Sequence, residues 1–144
     1  MTNPLEVQHG GSHYKDMGMQ PIEFSMSNRW DACAHSALKY LSRYNTSGKA
    51  LLDLEKAKHF VQLRKATMPL SIGNNGEKFN WRVVISMDTY CRVNQFNVDQ
   101  AAACRALDDY VHMGEINDQY FETAIRKIEM LLTFTRQQLE STPG

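Results

Sequence analysis

The sequence predicts an all-α protein, and three observations support this prediction. Its long segments carry apolar residues at steps of three and four, as amphipathic helices do. Capping residues and turn-forming residues separate these segments. Residues 79–87 alternate like a strand, but they have no second strand to pair with. We therefore expect about five helices, arranged as an N-terminal helical hairpin followed by C-terminal helices.

The length and composition are those of one globular domain. The chain has 144 residues, of which 42% are hydrophobic and 22% are charged. Within this domain we distinguish an N-terminal helical part (1–69), a linker (70–78) and a C-terminal helical part (79–140). No apolar run reaches the length of a membrane span, so we expect no membrane contact. The polar N-terminus lacks the pattern of a secretory signal, which predicts a cytoplasmic protein.

The charge balance and the cysteines exclude further classes. Sixteen basic residues match sixteen acidic ones, so broad binding to nucleic acids is not expected and any anion site must be local. Cys33, Cys91 and Cys104 form no C-x-x-C pair, and their odd number argues against a disulfide framework. We expect them to be buried free thiols.

An irregular arm precedes the helices. The stretch before Gln20 is rich in Gly, His and Met and shows no period. Pro21 forces Gln20 toward extended backbone and can itself open a short helical turn. Ser27 or Asn28 then offers an N-cap for the first long helix, which we expect to reach about Tyr44.

The first long helix combines an apolar stripe with a polar row. The stripe follows three- and four-residue steps, whereas the members of the polar row are each four residues apart and can touch. This spacing fits either a solvated face with ordinary ion pairs or an anion site. The stripe consists of Trp30, Cys33, Ala37, Leu41 and Tyr44, and the polar row consists of Asp31, His35, Lys39 and Arg43.

The second helix brings further cations close to that row. It is expected over residues 50–66, because Pro69 cannot continue it. If the two helices pack as a hairpin, four cations meet at its closed end. They repel one another unless an anion, or Asp53 and Glu55, lies between them. The four cations are Lys39, Arg43, Lys49 and Lys56.

Three further helices are expected in the C-terminal part. We favour a helix over residues 79–93, although its alternation is ambiguous. A clearer helix follows, capped by Asn97 or Asp99, and the last helix opens at Asn117 or Asp118.

Several kinds of site are excluded by the spacing of the residues that they need. A Walker-type phosphate loop would require glycine where Arg43 stands and Ser or Thr where Ala50 stands. No closely spaced pair of His or Cys residues is matched by a second pair, so we expect no metal site. The Glu-rich helix of nucleotide pyrophosphohydrolases is also missing.

Four short blocks stand in the same order and approximate spacing as in a known family. They are Gly10-Gly11-Ser12-His13-Tyr14, Gln20-Pro21-Ile22-Glu23-Phe24, Leu38-Lys39-Tyr40-Leu41-Ser42-Arg43 and Asp53-Leu54-Glu55-Lys56-Ala57-Lys58-His59-Phe60. Over residues 10 to about 63 the chain thus resembles a widespread family of small bacteriophage proteins. That family includes the nucleotide kinase of the short-tailed T-odd coliphages, which works without a Walker loop.

The resemblance implies a reaction and a set of site residues. Enzymes of this type phosphorylate dGMP and dTMP to diphosphates and assemble into large homo-oligomers. The same reaction is expected here, with ATP or another nucleoside triphosphate as donor, in an infected bacterial cell. The expected catalytic residues are Lys39, Arg43 and His13, and the expected substrate-binding residues are Tyr14, Glu23, Lys49, Asp53 and Lys56.

These residues divide the work of phosphoryl transfer. Lys39 and Arg43 grip the phosphates, while Lys49 and Lys56 neutralise charge that develops on the transferred group. In the expected site, His13 and Tyr14 of the arm close over the nucleotide, although a neighbouring His and Tyr in a loop also fit a plain surface pair. Either Asp53 or Glu23 orients a basic side chain or a sugar hydroxyl.

Two departures from the family pattern leave a rival hypothesis open. His35 and Ser36 stand where the family commonly has Gly-Asn, and the turn between Arg43 and Asp53 also differs, so Lys49 is a provisional counterpart. The rival is a non-catalytic helical module that binds a nucleotide or a host protein. A magnesium-dependent nucleotide hydrolase is a third hypothesis, which the missing carboxylate helix disfavours.

Overall fold

The computed structural model describes residues 3–7, 14–73 and 83–141, and these parts are helical without any strand. This confirms the all-α prediction. Six α-helices and one short 3-10 turn, Pro4–Glu6, are present in the described parts. The helices are α1 (Pro21–Asn28), α2 (Ala32–Arg43), α3 (Ala50–Gly73), α4 (Met87–Val93), α5 (Val98–Met113) and α6 (Gln119–Ser141).

Four of the helices enclose the core. α2 packs on α3, α3 on α6, α6 on α5 and α5 on α2, while α1 lies on α2 and α4 lies on α5. Fully buried leucines and isoleucine fill the space between them, each worth roughly 1.5–3 kcal/mol of transfer free energy. None of the described helices is both long enough and apolar enough to cross a membrane. The fully buried residues include Leu38, Leu41, Leu54, Leu107 and Ile128.

The expected first long helix is divided into two. α1 begins at Pro21, with Gln20 in the predicted extended backbone, and ends at Asn28, because the next residue, Arg29, has a positive φ of 55° that terminates the helix. α2 then begins after Asp31, whose carboxylate accepts a hydrogen bond from the backbone N–H of Ala34 at 2.8 Å. The predicted N-cap at Ser27 or Asn28 is therefore wrong, because Asp31 provides the cap.

Asn28 instead holds the segment before α4. Its side-chain oxygen accepts from the backbone N–H groups of Val84 and Ile85 at 2.7 and 2.9 Å, and its amide donates to the Ile85 carbonyl at 2.7 Å. Ser86 then caps α4 through the N–H of Thr89. The expected helix over 79–93 is wrong for residues 83–86, because these bonds keep them out of the helix; residues 79–82 lie outside the described parts.

We expect Asn28→Ala to lower the free energy of unfolding by about 2–3 kcal/mol, since it leaves partly buried backbone groups without partners. Urea unfolding followed by circular dichroism measures this loss. Asn117→Ala is the matched control, because Asn117 caps α6 at an exposed position and its loss costs about 0.5–1 kcal/mol. Equal losses in the two variants would contradict the bridging role of Asn28.

The second helix is longer than predicted. α3 continues through Pro69 to Gly73, so the expected end before Pro69 and the expected start of the linker at residue 70 are both wrong. Proline removes one N–H from the ladder of helix hydrogen bonds, and this single loss near the end of a long helix does not terminate it. The rest of the linker, from residue 74, lies outside the described parts.

The last two helices follow the sequence closely. Asn97 accepts a hydrogen bond from the N–H of Gln100 at 2.8 Å and caps α5, as predicted. Asn117 accepts from the N–H of Gln119 at the start of α6. Local capping chemistry therefore determines where both helices begin.

Candidate functional site

Tyr40 on α2 stands among three cations. The ammonium groups of Lys39 and Lys56 lie 4.7 and 5.3 Å from the centre of its ring, and the guanidinium carbon of Arg43 lies 4.8 Å from it. Any two of these charges are thus within about 10 Å of each other, a distance comparable with the screening length of physiological salt. Together with Asp53, these residues form what we call the Tyr40 cluster.

The helical hairpin assembles this cluster. Lys39 and Arg43 flank Tyr40 on α2, and Lys56 comes from the first half of α3, which packs against α2. Phe60 lies one turn beyond Lys56 and stacks on Tyr40 with 6.0 Å between ring centres and 13° between planes. The aromatic pair thus gives the cations a rigid support.

Arg43 is held by Asp53. Its Nε and Nη2 donate to the two carboxylate oxygens of Asp53 at 3.2 and 3.0 Å, a forked arrangement in which the carboxylate is fully buried. The hydroxyl of Ser47 donates to the same carboxylate at 2.6 Å. Burial opposes the charge of Arg43, but the hydrogen bonds and attraction to Asp53 and Tyr14 raise its pKa above the ordinary value. Arg43 therefore stays positively charged.

The arm brings Tyr14, one of the predicted substrate-binding residues, to the cluster. Nη1 of Arg43 donates to the Tyr14 hydroxyl oxygen at 3.0 Å. Burial raises the pKa of Tyr14 despite the opposing effect of Arg43, so its hydroxyl is neutral at pH 7. His13, expected to act beside it, lies outside the described residues.

Within the Tyr40 cluster, Lys39 and Lys56 have no carboxylate partner among the described residues, whereas Arg43 binds Asp53. Glu55, expected between the cations, instead pairs with Arg136 on α6 at 3.1 Å. The cluster thus holds three positive groups and one carboxylate, Asp53. Such an excess of positive charge on rigid helices favours the binding of an anion.

Two predicted site residues lie elsewhere. Lys49 is exposed and lines a groove against α6, where Leu139 lies on the far side. Glu23 accepts a hydrogen bond from the N–H of Gln20 at 2.7 Å and completes the cap of α1. The backbone carbonyl of Lys49 accepts from the N–H of Asp53 at 2.9 Å. No side-chain contact joins Lys49 or Glu23 to the Tyr40 cluster among the described residues, so their proposed roles have no geometric support.

Sequence reasoning missed the two residues that organise the cluster. Tyr40 lies in one of the four family blocks but is not among the predicted site residues, although its position between Lys39 and Arg43 on one helix turn is a usable signal. Ser47 had no such signal, because its contact with Asp53 depends on how the turn after α2 folds.

His35 lies one turn before Lys39 and borders a small cavity of about 90 Å³ that Tyr14 also lines. Its Nδ1 is 2.8 Å from the hydroxyl of Ser25. Burial lowers the pKa of His35, and the positive charge of Lys39 lowers it further. The imidazole is therefore neutral at pH 7, and it adds no charge to the cation cluster.

Protonation of His35 should destabilise the fold. The unfolded chain binds this proton at a higher pH than the folded chain does, so stability falls as the pH drops below the ordinary histidine value of about 6.5. Thermal unfolding at pH 7.5 and 5.5 measures the effect. His35→Gln should show a smaller fall than the wild type, whereas an equal fall would assign the pH dependence to other groups.

Comparison with known families gives one match to this region. Residues 7–62 match a family model described as a protein of unknown function, DUF3310. Comparisons with curated proteins and with solved structures find no match. The matched segment includes every residue of the Tyr40 cluster, and its description assigns no activity to the family.

Proposed function

We propose that the protein is a deoxynucleoside monophosphate kinase, which transfers a phosphoryl group from a nucleoside triphosphate to an acceptor such as dGMP or dTMP. The observation that carries this proposal is the pair of unpartnered ammonium groups, Lys39 and Lys56, held beside one aromatic ring. Phosphoryl transfer asks the protein mainly to position phosphates and to stabilise their charge.

The geometry suggests a changed division of roles within the cluster. Lys39 and Lys56 are the groups available to contact phosphate oxygens, because the Nε and Nη2 of Arg43 already bind Asp53. Arg43 then contributes its charge and holds the Tyr14 hydroxyl in place. Among the described residues no group of three or more His, Cys, Asp or Glu is placed to hold a metal ion. A Mg²⁺ ion would therefore enter on the phosphates of the donor.

Three accompanying proposals concern the surroundings of the protein. We propose that it forms homo-oligomers, that its partners are nucleotides and that it acts in the cytoplasm of an infected bacterium. Exposed apolar side chains on α3 and α6 support the first of these, since such residues suit an interface. They are Leu52, Met130, Phe134 and Leu139, each at least 40% exposed. Light scattering on the purified protein measures the number of subunits.

The activity is tested by incubating the purified protein with each deoxynucleoside monophosphate and ATP or dTTP, with and without a chelator. Chromatography of the products should show a deoxynucleoside diphosphate and the diphosphate of the donor in equal amounts. If no acceptor yields a diphosphate under any of these conditions, the kinase proposal is wrong.

One observation favours a second candidate, a non-catalytic module that binds nucleotides or a host protein. The guanidinium group of an arginine often stabilises a transferring phosphoryl group. In this protein two of the Arg43 nitrogens already donate to Asp53, so the guanidinium is not free to bind a phosphate with both of them. Calorimetry distinguishes the two candidates, because the module would bind a nucleotide with a saturable signal and form no product.

A further inference from the structure

A polar cleft of about 630 Å³ lies between the N-terminal arm, the turn after α2 and the loop between α4 and α5. Its volume is within the range of sites that bind small organic molecules. The phosphate contacts proposed above do not use it. Its lining includes Asp16, Asn45, Thr46, Gln95, Phe96 and Gln100.

The two sides of the cleft are joined by specific contacts. The side-chain oxygen of Asn94 accepts from the N–H of Met19 at 2.9 Å, and its amide donates to the Met19 carbonyl at 2.9 Å. Gly18 approaches the loop so closely that an added Cβ would lie 2.3 Å from the carbonyl oxygen of Val93. The arm is therefore seated on the loop, and the cleft is formed before any ligand enters.

The chemistry of the lining suits an uncharged heterocycle. Asn and Gln side chains each offer donors and an acceptor, as the edge of a nucleobase requires. Gln100 is fully buried and anchored through its amide to the Leu41 carbonyl at 2.9 Å, and Asn45 contacts it at 3.3 Å. Phe96 adds a partly buried aromatic ring. Among the described residues of this lining Asp16 is the one that is charged, and it suits a sugar hydroxyl better than a phosphate.

Two chain segments connect the cleft to the Tyr40 cluster. In the turn after α2, Asn45 and Thr46 line the cleft, while Ser47 contacts Asp53. In the arm, Asp16 lines the cleft, while the Tyr14 hydroxyl contacts Arg43. A ligand in the cleft is thus a few residues away from the cations along both segments.

We propose that this cleft holds the base and sugar of the nucleotide whose phosphate contacts the Tyr40 cluster. The inference rests on the proposed function for the position of the phosphate. The base is recognised by the amides of Asn45 and Gln95, with Gln100 as the buried group that positions Asn45.

Calorimetry with three probes tests this inference: dGMP, dTMP and 2-deoxyribose 5-phosphate, which carries the phosphate but no base. We expect at least one nucleotide to bind the wild type about tenfold more tightly than the sugar phosphate. In the double variant Asn45→Ala, Gln95→Gly this preference should fall to nearly one, while the affinity for the sugar phosphate stays unchanged. Glycine is chosen because Gln95 has a positive φ of 56°.

Gln62→Ala, which removes an exposed amide on α3 outside the cleft, is the matched control and should keep the wild-type preference. Thermal unfolding checks that both variants are folded. Equal binding of all three probes to the wild type, no binding of any probe, or an unchanged preference in the double variant would each overturn the inference. Base-dependent binding without diphosphate formation would support the cleft and reject the kinase proposal.

Discussion

Replacing Asp53 by alanine lowers the free energy of unfolding by about 3–5 kcal/mol, because it removes the carboxylate that balances the charge of Arg43, whose side chain is only 18% exposed. The Asp53 carboxylate is fully buried, and its two oxygens bind Arg43 and also Ser47. Urea unfolding, monitored by the helical circular-dichroism signal, gives the loss directly.

A matched variant separates this effect from the loss of any helix carboxylate. Glu55 lies on α3, as Asp53 does, and pairs with Arg136 on α6. Both side chains of this pair are about half exposed, so Glu55→Ala should cost at most about 1 kcal/mol. The double variant Arg43→Met, Asp53→Leu should be more stable than Asp53→Ala, because no charge is then left unpaired. An Asp53→Ala variant as stable as Glu55→Ala would show that Arg43 finds another partner.

Removing both unpartnered cations has the largest effect expected on function. We expect Lys39→Met, Lys56→Met to lower kcat/KM for the proposed phosphoryl transfer by about a hundredfold or more, since each ammonium stabilises phosphate charge at close range. Methionine keeps much of the apolar stem against Tyr40, so the helices should remain folded. Steady-state kinetics with the best acceptor from the product assay measure the change.

Lys58→Met provides the control for this double variant. Lys58 is on the same helix two residues after Lys56, but its ammonium pairs with Glu129 on α6 at 3.3 Å. Its removal should leave kcat/KM within about twofold of the wild type. A comparable loss from Lys58→Met would mean that the effect comes from the net charge of the protein and not from the Tyr40 cluster.

Prediction from the sequence succeeded where the signal is local. The caps at Asn97 and Asn117 depend on one side chain and a backbone N–H within three residues, so the residue order itself contains the information. Prediction failed between α1 and α2, where Arg29 adopts a positive φ and Asn28 bonds to a segment 56 and 57 residues away. Residues on both sides of this break are buried, so the apolar residues keep a helical spacing across it. The sequence pattern therefore does not reveal the break.

The candidate site was likewise predictable from the sequence only in part. Helix periodicity brought Lys39, Arg43 and Lys56 into one region, as the hairpin prediction required. The sequence could not show that Asp53 would engage Arg43, because Lys39 and Lys56 are equally possible partners by spacing alone. In the structure the buried carboxylate of Asp53 binds the forked guanidinium of Arg43, which satisfies both of its oxygens at once.

The sequence by itself determined the all-helical class, the starts of the last two helices and the hairpin with cations near its closed end, because these follow from periods and caps within a few residues. Only the tertiary structure decided which cations remain without a carboxylate partner among the described residues. It also decided where the amide-lined cleft forms, since Met19 and Asn94 are 75 residues apart along the chain. Such contacts depend on the packing of whole helices, which no local pattern specifies.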